Sequence, residues 1–318
     1  MRSYPDKRYY QRIAIASSYP LNPLERVFRL AALLDEIVRA LPGELLLRGG
    51  TALNLLHLDA PRLSVDLDLD YIGSAGGAAA ATRRPALLAE LEHLCSRAGY
   101  AVEHSRSSYA MSHLVLRFAN ANGTCDAMKI DVNFLDRVPV IEPVRLPLRH
   151  PFGDDLAETM TTTFALSELA ASKAIALARR GLVRDLYDVA QISRLPGLDL
   201  TTVRTVLVVR GAAYPPPSPE QYSVEGGSAV RLTEWRSQVV ALVRRRETAD
   251  LTEARRQAEG LLRELVRLAP YEVQFLRSLE SGSLEAVALG DDDRAARVQA
   301  NPGLLWRLER GASLLEER

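Results

Sequence analysis

Leu47-Arg48-Gly49-Gly50-Thr51-Ala52-Leu53, with Arg62-Leu63-Ser64-Val65-Asp66-Leu67-Asp68 shortly after it, sets the terms for the rest of this 318-residue sequence. Glu44 to Leu47 reads as a short buried strand, Gly49-Gly50 as a tight turn and Thr51 to His57 as the start of a helix. In such a strand, turn and helix, the backbone N–H groups at the helix start can approach a phosphate without a Cβ in the way, and the Thr51 hydroxyl adds a donor. A Gly-Gly-Thr run alone is more often a plain turn with an N-cap. Ser64 to Tyr71 changes the balance, because it alternates strictly: Asp66, Asp68 and Asp70 on one face, Val65, Leu67, Leu69 and Tyr71 on the other. Carboxylates two apart on a strand project side by side and can share hard divalent cations, whereas an acidic run in isolation is commonly a solvated sheet edge.

A third carboxylate on a neighbouring strand is what a two-cation phosphoryl displacement requires. Lys129-Ile130-Asp131-Val132-Asn133 supplies it: Asp131 shares a face with Lys129 and Asn133, while Ile130, Val132 and Phe134 point the other way. Two roles are open to Asp131, metal ligand or general base. Only three of the 40 basic residues are lysines, Lys7, Lys129 and Lys173. A compact ammonium kept in an arginine-dominated chain points to point-charge chemistry. Lys173 lies on a helical stretch with Leu169, Ile175, Ala176 and Leu177 and suits a phosphate, with a snorkelling surface lysine as the alternative. Asp188 follows Arg184 by four residues, a spacing that also fits a surface ion pair.

Taken together, the two opening stretches closely resemble the first motif of the AbiEii/AbiGii nucleotidyltransferase-like toxin family, part of the DNA polymerase β-like nucleotidyltransferases. Lys129 to Asn133, Ser172-Lys173 and Arg184-Asp185-Leu186-Tyr187-Asp188 resemble its later motifs, so the likeness spans roughly residues 25–195. The fold this implies is α/β (α+β): a nucleotidyltransferase domain with a small mixed sheet over residues 1–160, then a mainly helical domain over 161–318 that closes the nucleotide cleft. The resemblance further implies that Arg48, Gly49, Gly50, Thr51, Ser64 and Arg184 serve the nucleotide. Asp66, Asp68 and Asp131 would hold Mg²⁺ or Mn²⁺, Lys173 would approach the triphosphate, and Asp185 and Asp188 would complete the catalytic set. The implied setting is a type IV toxin–antitoxin or abortive-infection pair. There the toxin transfers a nucleoside monophosphate from an NTP to an RNA acceptor, the tRNA 3′ end, and blocks growth, with a cognate antitoxin encoded nearby. The motifs themselves do not separate acceptors, so a protein or small-molecule hydroxyl stands as the alternative, and a noncatalytic NTP-binding scaffold as a third.

The remaining pattern is consistent with an α/β first half and a helical second. Pro23 to Leu41 has helical spacing ended by Pro42-Gly43, Gly73 to Ala81 reads as a small-residue linker, and Pro85 to Ala98 as a helix. Tyr100 to His104, His113 to Phe118 and Met128 to Leu135 read as strands. Leu166 to Ile192, Trp235 to Leu268 and Glu272 to Leu289 read as helical. Pro215-Pro216-Pro217-Ser218-Pro219 and Gly226-Gly227 are expected in a surface loop between helices. Arg62 and Ser64 either orient the acidic pair or cap a loop, and Asp70 is expected behind the site or at the surface. Arg244-Arg245-Arg246 and Arg255-Arg256, expected on amphipathic helices, could contact an RNA backbone, although such runs are usually solvated faces.

Composition narrows the classes. Lys+Arg and Asp+Glu are both 40, so net charge gives no general reason for nucleic-acid binding, and partners must be argued from sites. Cys95 and Cys125 show neither disulfide-framework nor zinc spacing and are expected as reduced thiols in or near the core. His57, His93, His104, His113 and His150 have no mutual metal spacing and are assigned structural or surface roles. No signal-peptide h-region and no apolar run of membrane-spanning length occurs, so a cytoplasmic protein without membrane contact is expected.

Overall fold

Leu67-Asp68-Leu69-Asp70-Tyr71 alternates because its apolar side faces a core, and the strands beside it repeat the pattern. In the computed structural model, which describes residues 4–104, 107–214, 217–247, 249–286 and 289–316, one mixed sheet contains seven strands. These are β1 Leu45–Arg48, β2 Leu67–Tyr71, β3 Ala101–His104, β4 Met111–Ala119, β5 Cys125–Asn133, β6 Val144–Pro147 and β7 Met160–Thr163. Their order is β3-β4-β5-β2-β1-β7-β6. β2 runs parallel to β5 and β1 parallel to β7, and the other neighbours are antiparallel.

Helices α1 Lys7–Ser17, α2 Leu21–Ala40, α3 Gly49–Ala52 (continued by a π-turn over Leu53–His57) and α4 Gly77–Arg97 accompany the sheet. Leu47, Leu69, Leu114, Leu116, Ile130 and Val132 form its apolar side, all buried. Each such side chain contributes about 1.5–3 kcal/mol on leaving water. Leu34 and Ile37 of α2 pack toward Leu47 and Leu69, around a cavity of about 260 Å³. The helix expected from Pro85 in fact begins at Gly77, because the alanine-rich run before the proline is strongly helix-forming and shows no apolar stripe that a sequence reading could use. α1 is held by an Asp6 cap on the Tyr9 amide, while β6 and β7 form one side of the sheet. Cys95 is buried on α4, which pushes its thiol up to about 12, but Cys125 opens β5 and is exposed, contrary to the expectation of a core position.

The chain divides into two compact units. The first comprises Met1–Arg137, Val144–Thr163 and Val240–Ala249, and the second Val138–Pro143, Phe164–Val239 and Asp250–Arg318. The segment Val240–Ala249 is a strap on the first unit: Val243 bridges Arg62, the Leu63 amide donates to the Leu242 carbonyl at 2.9 Å, and the Arg245 amide donates to the Ser18 carbonyl at 2.8 Å. Arg244 reaches the Asp59 carbonyl at 3.3 Å and lies 5.0 Å from the Tyr19 ring centroid. This corrects the expectation of one helix from Trp235 to Leu268 carrying the Arg244 to Arg246 run.

The second unit is helical: α5 Leu166–Arg180, α6 Val183–Ile192, α7 Leu200–Ala212, α8 Leu232–Trp235 (continued by a π-turn over Arg236–Val240), α9 Leu251–Leu265, α10 Pro270–Glu280, α11 Asp292–Gln299 and α12 Pro302–Glu316. The helix expected over Leu166 to Ile192 is two helices, because Gly181 takes φ +59 and closes α5 with a bond from its amide to the Leu177 carbonyl. α10 likewise ends before the expected Leu289. Pro215 and Pro216 lie outside the described residues. Gly226-Gly227 is not a loose surface loop, since a Cβ on Gly226 would stand 2.5 Å from the Leu177 carbonyl oxygen and one on Gly227 2.5 Å from Leu186. Buried Glu168 on α5 accepts from Arg210 and from the Val140 and Ile141 amides, and burial raises its carboxyl above the usual range. Among the described residues no helix is long and apolar enough to cross a membrane.

Candidate active site

β1 runs directly into α3, and the turn between them depends on Gly49. Its φ of +72 is a conformation that side-chain-bearing residues rarely adopt, and a Cβ there would lie 2.0 Å from Asp68 Oδ2. Backbone and acidic strand therefore meet at a point only glycine leaves open. A Cβ on Gly50 would come within 2.7 Å of Arg62 Nη2 and 3.1 Å of Ser64 Oγ. Arg62, 1% exposed, thus lies buried against the turn, and its Nη1 donates to the Leu63 carbonyl at 3.1 Å.

Thr51 is fully buried, and its hydroxyl donates to the Asp66 carbonyl at 2.5 Å while lying 3.0 Å from Ser64 Oγ. Both hydroxyls are thus buried in the protein, where Thr51 and Ser64 tie the turn to the lead-in of β2. Asn54 Nδ2 donates to the Gly50 carbonyl at 2.9 Å from the π-turn, a second brace that the sequence pattern did not distinguish from an ordinary helical residue.

β2 begins at Leu67, so Asp66 sits in the extended lead-in rather than within the ladder. Asp68 is the residue that cross-strand register places. It is the partner of Arg48 on β1 and of Asp131 on β5, and Asp131 is the partner of His113 on β4. The result is a row, Arg48, Asp68, Asp131, His113, on one face of four adjacent strands. Asp131 Oδ1 lies 2.7 Å from His113 Nδ1. Asp70, on the same face, is fully buried and ion-pairs with Arg48 at 2.7 Å, which excludes a surface role for it and fixes Arg48 beside Asp68. Among the described residues no group of three or more His, Cys, Asp or Glu side chains is arranged as a metal cage.

The second unit holds a separate charged cluster. The turn at Gly181 folds α6 back toward α5, so that Lys173 Nζ lies 2.8 Å from Asp188 Oδ2 and 3.3 Å from Asp185 Oδ1. Arg180 Nε lies 2.7 Å from Asp185 Oδ2. Lys173 is 8% exposed and Asp188 fully buried, so neither the snorkelling lysine nor the surface ion pair is realised. Arg184 is half-buried on α6. Of the other histidines, His104 pairs with Glu92 and His150 packs on Phe152 with ring centroids 5.6 Å apart.

No curated protein sequence matches the chain. The structure of MenT4, a nucleotidyltransferase toxin of Mycobacterium tuberculosis H37Rv, aligns over 95% of this chain and 99% of its own with a TM-score of 0.67 at 18% identity, a likeness of fold. A proposed nucleotidyltransferase from H. pylori aligns over 77% of this chain and 95% of its own, with a TM-score of 0.47 at 14% identity. The sequence profile "Nucleotidyl transferase AbiEii toxin, Type IV TA system" matches residues 32–270, a span that takes in every residue of the Arg48 to His113 row and of the Lys173 cluster. The chain is therefore a nucleotidyltransferase that belongs to the AbiEii toxin family of type IV toxin–antitoxin systems.

Proposed function

We propose that this enzyme transfers a nucleoside monophosphate from an NTP to a hydroxyl of an RNA acceptor, the tRNA 3′ end, and blocks growth by doing so. The observation that carries the site assignment is the pairing of Asp68 with Asp131 across β2 and β5, with the Gly49 backbone pressed against Asp68. Mg²⁺ usually keeps several waters and is bound by one or two carboxylates together with substrate phosphates. A carboxylate pair without a complete protein cage fits that habit, so Asp68 and Asp131, with Asp66 beside them, are the residues that would hold Mg²⁺ or Mn²⁺. The cation would neutralise charge on the phosphates.

In this reading the Gly49-Gly50 turn carries backbone amides toward the nucleotide, with Arg48 held alongside by Asp70. Lys173 serves as a point charge for phosphate, with Asp185 and Asp188 fixing it and Arg184 on the same helix as a further nucleotide contact. The acceptor oxygen attacks the α-phosphorus, the hydroxyl proton passes to solvent water, and the bond to the departing pyrophosphate breaks. The choice of tRNA as acceptor, and a cognate antitoxin as partner, rest on family membership.

The test is incubation with each labelled NTP, Mg²⁺ and either total RNA or lysate, comparing the native enzyme with Asp68→Ala and Lys173→Ala. Label on RNA that both substitutions abolish supports the reading. Label on protein moves the acceptor to a protein hydroxyl. No label on any acceptor, with NTP binding indifferent to Asp68→Ala, overturns the catalytic assignment in favour of a scaffold.

A further inference from the structure

His113 and Asp131 are direct partners in the β4–β5 ladder, so their side chains leave the same face of the sheet as neighbours. Nδ1 and Oδ1 are 2.7 Å apart, the distance of a charge-assisted hydrogen bond. The other groups near Asp131 along its strand are committed elsewhere or unsuited. Asn133 donates to Asp136 at 3.0 Å and accepts from the Leu135 amide at 2.9 Å, and Lys129 is exposed. Across the sheet, Arg48 is held by Asp70. Among the described residues the imidazole is thus the one hydrogen-bond partner of the Asp131 carboxylate.

The last torsion of an aspartate is broad, so a carboxylate without a partner samples many orientations. One oxygen held by a ring N–H leaves a single plane in which the other can be offered. We propose that His113 is a positioning residue that holds Asp131 Oδ1, presents the second oxygen to the divalent cation, and so sets the cation affinity of the site. This rests on the reading of Asp68 and Asp131 as the metal-holding pair. The donor is the Nδ1–H, which makes the requirement geometric: asparagine carries an amide nitrogen near the Nδ1 position, whereas glutamine places it near Nε2. Partners that orient metal ligands typically matter by 10–100-fold in metal affinity or activity.

The experiment is titration of the full chain with Mn²⁺ alone, following free Mn²⁺ by electron paramagnetic resonance, for the native protein and His113→Ala, His113→Asn, His113→Gln, Asp131→Ala and Asp68→Ala. His113→Ala and His113→Gln are expected to weaken Mn²⁺ binding about tenfold, and His113→Asn to restore it to near the native value. In the transfer assay the Mn²⁺ concentration for half-maximal rate should follow the same order. The asparagine and glutamine variants differ mainly in reach, so their contrast survives any general effect on folding. Unchanged Mn²⁺ binding in His113→Ala, with Asp131→Ala weakened, overturns the positioning role and leaves the carboxylate pair standing. Equal weakening by asparagine and glutamine also overturns it. Indifference of Mn²⁺ binding to Asp68→Ala and Asp131→Ala as well overturns both.

Discussion

Gly49→Ala separates backbone strain from damage to the acidic pair, and Gly43→Ala is its control. Both glycines have left-handed φ, +72 and +76, so an alanine at either costs about 1–2 kcal/mol in backbone conformation. They differ in surroundings: nothing lies within 4 Å of a Cβ on Gly43, whereas one on Gly49 meets Asp68 Oδ2 at 2.0 Å. Restoring an ordinary contact of 3.4 Å from 2.0 Å requires Asp68 to move by about 1.4 Å, and a misplacement of about 1 Å can already cost about 100-fold in rate. That factor corresponds to about 2.7 kcal/mol in the transition state. Gly43→Ala should therefore lower the melting temperature by a few degrees and leave nucleotide transfer near native, since a kcal/mol is worth about 2–4 °C at this scale. Gly49→Ala should show a similar or larger thermal shift together with a loss of about 100-fold in kcat/KM for the NTP. Transfer rate and thermal unfolding of the two variants decide it. Gly49→Ala within a few-fold of native activity, or Gly43→Ala equally inactive, would refute the reasoning.

Asp70→Ala removes the fully buried partner of Arg48 and should destabilise the fold by about 3 kcal/mol in urea unfolding; the low end of the range for buried pairs applies because Arg48 is partly exposed. Lys173→Ala removes the ammonium 2.8 Å from buried Asp188 and should cost a similar amount, about 3 kcal/mol, with partial recovery in Lys173→Ala/Asp188→Ala; strictly additive losses would show that the pair is not coupled. Burial lowers the pKa of His150 from 6.5, so folded His150 stays neutral where the unfolded chain takes up a proton. The stability that follows is present above about pH 6.5 and lost as pH falls through the lowered value, and His150→Leu should flatten melting temperature between pH 7 and 5.

Much of the sheet was legible because β2, β4 and β5 each carry one apolar face, which alternation reveals without knowledge of partners. β7 is Met160-Thr161-Thr162-Thr163, with no such contrast, and joins β1 through Leu47 and Thr163; α1 buries only Tyr10 and Ile13. Neither gives a local signal strong enough to compete with a loop. The break at 241–247 is likewise nonlocal, made by pairing with Arg62 and Leu63 rather than by any helix breaker in the run. At the site, Gly49, Asp68 and Asp131 stood out by residue type and spacing. The Arg48–Asp70 and His113–Asp131 contacts did not, because the register between two strands is written in neither strand alone. Lys173 was marked by rarity, but its carboxylates became partners only through the turn at Gly181.

The strap has a consequence for how the molecule is made. Ribosomes deliver a chain from its N-terminus, and earlier parts fold while later ones are still being added. The Leu63 amide, three residues ahead of Asp66, finds its acceptor on Leu242, and Arg62 finds its bridge on Val243. The lead-in to the acidic strand therefore stays unfinished until those distant residues have emerged, so a nascent or prematurely terminated product lacks the bracing beside Asp66 and Asp68.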